Sequence, residues 1–314
     1  MELGRNICMT SLPRQRTLAE SVSVAGFGFF TNADVTARFH PAADDTGLLF
    51  VRSDLPGRPE IPATIEYAVE RHRRTALERG EAHVELTEHI LAALAGLAID
   101  NCLIELDGPE PPGGDGSARQ FVEALLGAGI VEQEQPAAIF EIPRRMVVTA
   151  GAARIVAEPN ASPLAKRLSR RRTGVSTEGP RYPLRLRYEL DYGVETAIGE
   201  QTSEYAISPE GFASEIAGAR TFIQESEIKA LRDAGYGERV TAGDLLVFGA
   251  SGVIDNVLRA DNECARHKLL DCLGDFALIG GRLAGRITAT RTGHAANREF
   301  IRELAGVRGM RRAA

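Results

Sequence analysis

One order of elements is written twice along this chain, and that repetition limits the possible folds more than any single motif does. In the first half, the alternating segments "SVSVAGFGFF" (21–30) and "VTARFHPA" (35–42) predict strands broken at the turn "TNAD". A charged stretch, "YAVERHRRTALERGEAHVEL", follows and reads as exposed. "TEHILAALAGLAI" then predicts a helix with an Ala/Leu-rich interior and Thr87 as N-cap. "DNCLIELDG" reads as a short strand. "PEPPGGDGSARQFVEALLGAGI" reads as a loop, a Ser117 N-cap and an amphipathic helix ending near Gly127.

The second half repeats this order. Strands are expected across 138–158 and 183–192, then a helix running into a turn at 208–222 and a less regular stretch. The helix "NECARHKLLDCLGDFALIGG", the strand "RLAGRITATR" and the helix "AANREFIREL" complete it. His89, Leu91 and Gly96 stand at the same offsets as His267, Leu269 and Gly274. The pattern implies two similar α+β halves with equivalent helices, divided in the polar, Pro-containing "GIVEQEQPAAI" near 131–137.

Bulk properties exclude several classes of function. Apolar content of 44% and charged content of 25% over 314 residues describe a globular protein rather than a disordered one. A net charge of −6 offers no overall field for nucleic acid. The one basic run, "KRLSRRR" at 166–172, reads as a solvated loop. The longest apolar run, "ILAALAGLAI" at 90–99, is too short to span a bilayer, so no stable membrane insertion is expected. The N-terminal sequence has no apolar signal region, and Cys8, Cys102, Cys264 and Cys272 form no CxxC pair. Reduced thiols in a cytoplasmic protein are the expectation.

Chemistry concentrates in "ARHKLLDCLGD" (265–275). On a helix His267, Asp271 and Asp275 fall at four-residue steps and share a face. HxxxD by itself most often marks a solvated charge stripe. Here the stripe adjoins Leu269, Leu270, Leu273 and Phe276, which are core-type residues. Carboxylates beside a packed face need partners, and imidazole and carboxylate are both ligands for Zn²⁺. A third ligand would come from His40, His72, His83, His89 or His294. His89 differs from the rest because it opens an apolar helix directly after Glu88, which would set a ligand beside a general base. His294 follows a strand end and precedes a helix, where loops often present catalytic side chains. Spacing alone leaves His294 between that role and a turn residue.

The blocks "TEHILAALAGLAIDN", "GPEPPGGDGSARQFV", "ARTF", "ECARHKLLDCLGD" and "TGHAAN" occur in this order over nearly the whole chain, from about Arg16 to Leu304. Together they resemble the signature blocks of the UDP-3-O-acyl-N-acetylglucosamine deacetylases, the zinc amidases of lipid A biosynthesis. The resemblance implies an α+β fold of two similar domains, each a mainly antiparallel sheet with helices. The helices would pack between the two outer sheets, with the active site at the domain junction. The domains would span 14–132 and 137–310, the second carrying an inserted loop and βα segment. His89, His267 and Asp271 would bind Zn²⁺, although such ligands also accept Fe²⁺. Glu88 would be the general base on the zinc-bound water. His294 would stay protonated to stabilise the oxyanion or protonate the leaving amine, held cationic by Asp275. Thr221 would donate to the oxyanion. Lys268 would sit near the diphosphate of a UDP-linked acylated amino-sugar substrate.

Some positions depart from the family pattern. A stretch that usually reads GxGLHTG is "GFGFFTN" here, with Phe30 for a histidine and Asn32 for a glycine. The loop that usually reads PEIPIMDGSA is "PEPPGGDGSA", with Gly113 and Gly114 in place of bulky residues. An Asn-His-Pro run is replaced by "DYGVETAIG". A paralogue acting on another acetylated amino sugar, or a non-catalytic binding protein of the same fold, are the alternatives. Oligomeric state is not legible.

Overall fold

The computed structural model describes residues 12–160 and 183–307, so Cys8 and the basic run at 166–172 lie outside the described residues. Two sheets share one strand order. In the first, the neighbours run Val22–Phe27, Asp34–Pro41, Cys102–Leu106, Leu48–Arg52, Glu60–Pro62. In the second they run Met146–Ala150, Ala153–Glu158, Arg282–Thr290, Leu184–Asp191, Glu200–Ala206, and Ile139–Glu141 also pairs with the central strand. Each sheet is a hairpin, a central strand and a second hairpin. In both, the central strand runs parallel to the first strand of the second hairpin, with Phe50 opposite Ile104 and Leu186 opposite Ile287. All four of these side chains are buried.

The sheets are accompanied by α1 (Glu88–Gly96), α2 (Arg119–Gly127), α3 (Glu225–Asp233), α4 (Glu263–Phe276) and α5 (His294–Ala305). One helix precedes the central strand of each sheet and one follows it: α1 and α2 in the first half, α4 and α5 in the second. After Glu88 and His89, helix α1 is apolar all round, and Ile90 to Leu94 are fully buried. A helix with no polar face must lie inside the protein. It packs against α2 and α4. Helix α2 lies on Val22–Phe27, α4 on Leu184–Asp191 and Glu200–Ala206, and α5 on Met146–Ala150 and Ala153–Glu158. The helices therefore form a layer between the two sheets, over one continuous hydrophobic core.

Each half carries an extra piece just before its first helix. In the first half it is a meander of Ala68–Arg71, Arg74–Arg79 and Ala82–Glu85. In the second it is Phe222–Gln224, α3, Leu246–Gly249 and Gly252–Val253. The charged stretch expected to be exposed is this first meander. Its charges occupy one face and the turns, while Thr75, Ala76 and Leu77 are fully buried.

Other local expectations shift as well. The segment at 131–137 falls largely in the strand Ile130–Pro136, paired antiparallel with Arg14–Leu18, and its polarity reflects the exposed face of that ribbon. Thr87 stands at the N-cap position of α1 as expected, but with a helical φ of −81° and no side-chain capping bond; its hydroxyl donates to the Thr75 carbonyl at 3.3 Å. Ser117 precedes the cap position of α2, accepting from Arg119 N at 3.2 Å and donating to Asp115 at 2.6 Å. The helix expected at 208–222 is a short turn, Pro209–Gly211, running into a π-helical turn, Phe212–Ile216, with the Phe212 ring seated on Gly96.

Both equivalent glycines are sites of close approach, Gly96 under the Phe212 ring and Gly274 against α1. A Cβ on Gly274 of α4 would collide with the backbone carbonyl of Glu88 at the start of α1. Only glycine allows this approach, so it fixes how near the first turn of α1 comes to α4. Gly274→Ala should lower the free energy of unfolding by about 1–3 kcal/mol in urea titrations, the usual range for overpacking. Gly127→Ala, where nothing lies near the added atom, should stay within about 0.5 kcal/mol of the parent. Equal stabilities for the two variants would contradict the contact.

Candidate metal centre

The close contact between α1 and α4 brings His89, His267 and Asp271 together. One ligand atom of each lies within 4.8 Å of the others. Asp271 Oδ1 is 3.4 Å from His267 Nε2 and 3.7 Å from His89 Nε2, and the two imidazole rings are 5.1 Å apart, nearly perpendicular. On α4 the stripe His267, Asp271, Asp275 is 2%, 3% and 0% exposed, which excludes the solvated-charge reading of HxxxD.

Three observations fit this trio to a divalent cation. Asp271 Oδ1 is buried without a hydrogen-bond partner among the described residues, facing two imidazole nitrogens. A polar atom left unpaired this deep is costly unless something binds it. His267 Nδ1 lies 3.0 Å from the Ala219 carbonyl, which holds the proton on that nitrogen and leaves the Nε2 lone pair towards Asp271. Burial also pushes the His267 pKa down to about 4, keeping the ring neutral and able to ligate. Asp271 is pushed up by burial, but the Lys268 ammonium bonded to it outweighs that and holds it well below the usual carboxylate range. Two imidazoles and a carboxylate are a donor set for a borderline cation such as zinc.

Around the trio stand the other residues singled out from the sequence. Glu88 is 2% exposed; its Oε2 accepts from Thr75 N at 3.0 Å, and its Oε1 lies 3.6 Å from His294 Nε2. Burial raises its pKa, against the pull of His294 and His89. His294, the first residue of α5, sets Nδ1 2.9 Å from Asp275 Oδ2, and its Nε2 lies 4.0 Å from Asp271 Oδ2. Burial opposes a charged ring there, yet Asp275 and Glu88 prevail and raise its pKa to about 9. Asp275 sits behind His294, also accepting from Asn297 Nδ2 at 2.7 Å and from the Thr75 hydroxyl. Lys268 Nζ donates to Asp271 Oδ2 at 2.6 Å, so its closest anion is the trio's own carboxylate. Thr221 lines the same cavity without bonding to the others through its side chain. Of the remaining histidines, His72 lines the cavity, His40 lies beside Ser21 at 2.9 Å, and His83 pairs with Glu78 in the meander.

Sequence reasoning missed Thr75. It bonds Glu88 through its amide and Asp275 through its hydroxyl, tying base and imidazole partner together from the first meander. Set among arginines in "RHRRTALERG", it carried no signal. Asn297 lay within the recognised "TGHAAN" block, three residues after His294, and could have been found there. Tyr188 donates to the Thr292 carbonyl at 2.5 Å and holds the turn that delivers His294.

The cavity holding these groups has a volume of about 920 Å³. Beyond the trio, apolar side chains take over: Ile223, Ile228, Val240, Leu245, Val247 and Ile254 from the second insertion, facing Phe29 and Phe30. Of the departures noted above, Phe30 lines this cavity. Asn32 adopts φ 58°, a left-handed conformation that asparagine tolerates in place of glycine. The Phe29 ring lies over Gly113, where any larger residue would collide with it. Phe30 is flanked by Tyr236 at 5.1 Å and by the Arg74 guanidinium at 4.0 Å from its centroid.

A sequence model of the UDP-3-O-acyl N-acetylglycosamine deacetylase family matches residues 15–306. The bifunctional enzyme LpxC/FabZ of Chlorobaculum tepidum is 38% identical over 93% of this chain, which spans 64% of that longer protein. The UDP-3-O-acyl-N-acetylglucosamine deacetylases of Bdellovibrio bacteriovorus and Myxococcus xanthus are each 34% identical over 92% of this chain and 89% and 86% of their own. With nearly its whole described length matched, the chain belongs to the UDP-3-O-acyl N-acetylglycosamine deacetylase family.

Proposed function

We propose that this chain hydrolyses the N-acetyl group of a UDP-3-O-acyl-N-acetylglucosamine, giving acetate and UDP-3-O-acyl-glucosamine in lipid A biosynthesis, with zinc held by His89, His267 and Asp271. The observation that carries the reading is the convergence on one cavity of two imidazoles and an orphaned carboxylate oxygen, with Glu88 and His294 beside them. The names of the curated relatives support the substrate. The apolar part of the cavity supports an acylated one. The reading includes two domains, 14–132 and 137–310, supported by their common strand order, and a cytoplasmic setting. Among the described residues no helix is long and apolar enough to cross a membrane.

When bound, zinc supplies Lewis acidity: it polarises an amide carbonyl and acidifies water. The chain's own groups do the rest. Glu88 Oε1 takes the proton of the attacking water, while Thr75 N fixes the opposite oxygen. Its burial makes it a better base than an exposed glutamate. His294, kept cationic by Asp275, offers Nε2–H first to the oxyanion and then to the leaving amine. The Thr221 hydroxyl is the second oxyanion donor. Each donor contributes about 3–4 kcal/mol at most, judged by oxyanion-hole deletions. Lys268 fixes Asp271 and is the cation assigned to the nucleotide diphosphate.

His267→Ala should abolish bound zinc and turnover together. Glu88→Ala should keep zinc at the parent level while kcat falls by about 10²–10⁴. Metal analysis beside steady-state kinetics checks both, and parent rates in the two variants would overturn the assignment. The rate should be bell-shaped in pH. His294 must be protonated, so activity declines as pH rises through about 9. Glu88 must be ionised, so activity also declines on the acid side, above the ordinary carboxylate range. A profile still climbing through pH 9 would remove His294 from the acid's role. Each methylene removed from the 3-O-acyl chain should lower kcat/KM about fourfold, from about 0.8 kcal/mol of burial. Indifference to chain length would contradict the apolar cavity as its seat.

A further inference from the structure

Arg220 stands next to Thr221 in sequence and touches nothing in the cavity. It is 4% exposed, and its partner Glu263, the first residue of α4, is 1% exposed. Its side chain grips Glu263 twice, Nε to Oε1 at 2.7 Å and NH2 to Oε2 at 3.0 Å, and its backbone N–H adds a third bond to Oε1 at 3.1 Å. The remaining donors go to Asn256 Oδ1 at 2.8 Å and the Val257 carbonyl at 2.6 Å. Asn256 in turn donates to the Ala242 carbonyl at 2.7 Å, in the insertion that builds the apolar part of the cavity. A buried guanidinium with this many fixed bonds is a rigid joint that a lysine's single ammonium cannot reproduce.

The joint bears on the metal trio through the residues on either side of Arg220. Ala219 supplies the carbonyl that holds His267 Nδ1 at 3.0 Å. Phe222 sets its ring edge-on to His267, 6.3 Å between centroids. The Thr221 amide and carbonyl are tied to Gly116 and Leu246 at 2.8 and 3.0 Å. The strand segment and the first turn of α4 meet at one buried ion pair, and His267 lies one turn further along that helix. Outer partners that orient a ligating histidine typically change metal affinity by about 10–100-fold when removed.

We propose that Arg220, through its buried ion pair with Glu263, is a positioning residue for the metal centre: it holds Ala219 and Thr221 in register with α4, so that His267 presents Nε2 to the cation. The inference rests on the metal-site reading above.

The test compares parent protein, Arg220→Met and Glu263→Gln for zinc affinity by chelator competition, for kcat and KM, and for thermal unfolding. Arg220→Met should bind zinc about tenfold or more weakly and lose kcat by about tenfold or more, with KM within about threefold. Arg282→Met serves as the structural comparison. It breaks the bridge to Asp100 at 2.6 Å, far along the chain, and should lower the unfolding temperature with zinc affinity and kcat unchanged. A folded Arg220→Met with parent zinc affinity and kcat would overturn the proposal. If Arg220→Met does not fold, Glu263→Gln decides: weakened zinc binding supports the role, and parent affinity overturns it. Parent protein that binds no zinc would instead overturn the metal-site reading itself, which separates the two failures.

Discussion

At Gly274, helix α4 has no side chain, and the carbonyl of Glu88 takes the space a Cβ would fill. Both helices bring their chemistry to this point. Asp271 and Asp275 lie three residues before Gly274 and one after it, and Glu88 and His89 open the facing helix. The approach has to be close because the Asp271 oxygen must face imidazoles from both halves at once, at 3.4 and 3.7 Å.

The same closeness buries a dense set of charges, and the surrounding residues answer for that burial. Asp275 is fully buried and takes bonds from His294, Asn297 and Thr75. Glu88 leans on an amide of the first meander, and Asp271 Oδ2 on Lys268. Of the two Asp271 carboxylate oxygens, Oδ1 has no hydrogen-bond partner among the described residues. Buried polar atoms are costly unless paired, so the atom at the meeting point of both halves is where a cation fits best. The insertions that break the symmetry serve the site in different ways. The first supplies Thr75 and a polar wall, and the second supplies the apolar one.

Periodicity and repetition made much of this legible. The i, i+4, i+8 spacing of His267, Asp271 and Asp275 sets them on one helix face, and the matched offsets of Gly96 and Gly274 mark equivalent helices. The strand order of the two sheets agrees with that repeat. What stayed hidden depends on contacts that no local pattern records. Thr75 meets Asp275 across 200 residues, and Arg220 meets Glu263 across 43. The meander was masked by its arginines, since alternate positions carry charge outwards while Thr75 to Leu77 are buried. Thr87 has capping chemistry, but its hydroxyl goes to the Thr75 carbonyl of the meander, whereas Ser117 keeps a capping bond from Arg119 N beside its bond to Asp115. The glycine at 113 in "PEPPGGDGSA" is explained by the Phe29 ring of "GFGFFTN" that lies over it.

The central claim is that one cation is gripped by side chains from both halves of the chain. Zinc K-edge X-ray absorption of the purified, zinc-loaded protein tests it most directly, with His89→Ala measured beside the parent. The account predicts one zinc per chain with nitrogen and oxygen neighbours only, the multiple-scattering signature of two imidazoles in the parent, and that of one in the variant. Sulfur in the shell, or the same two-imidazole signal after His89 is removed, would contradict it.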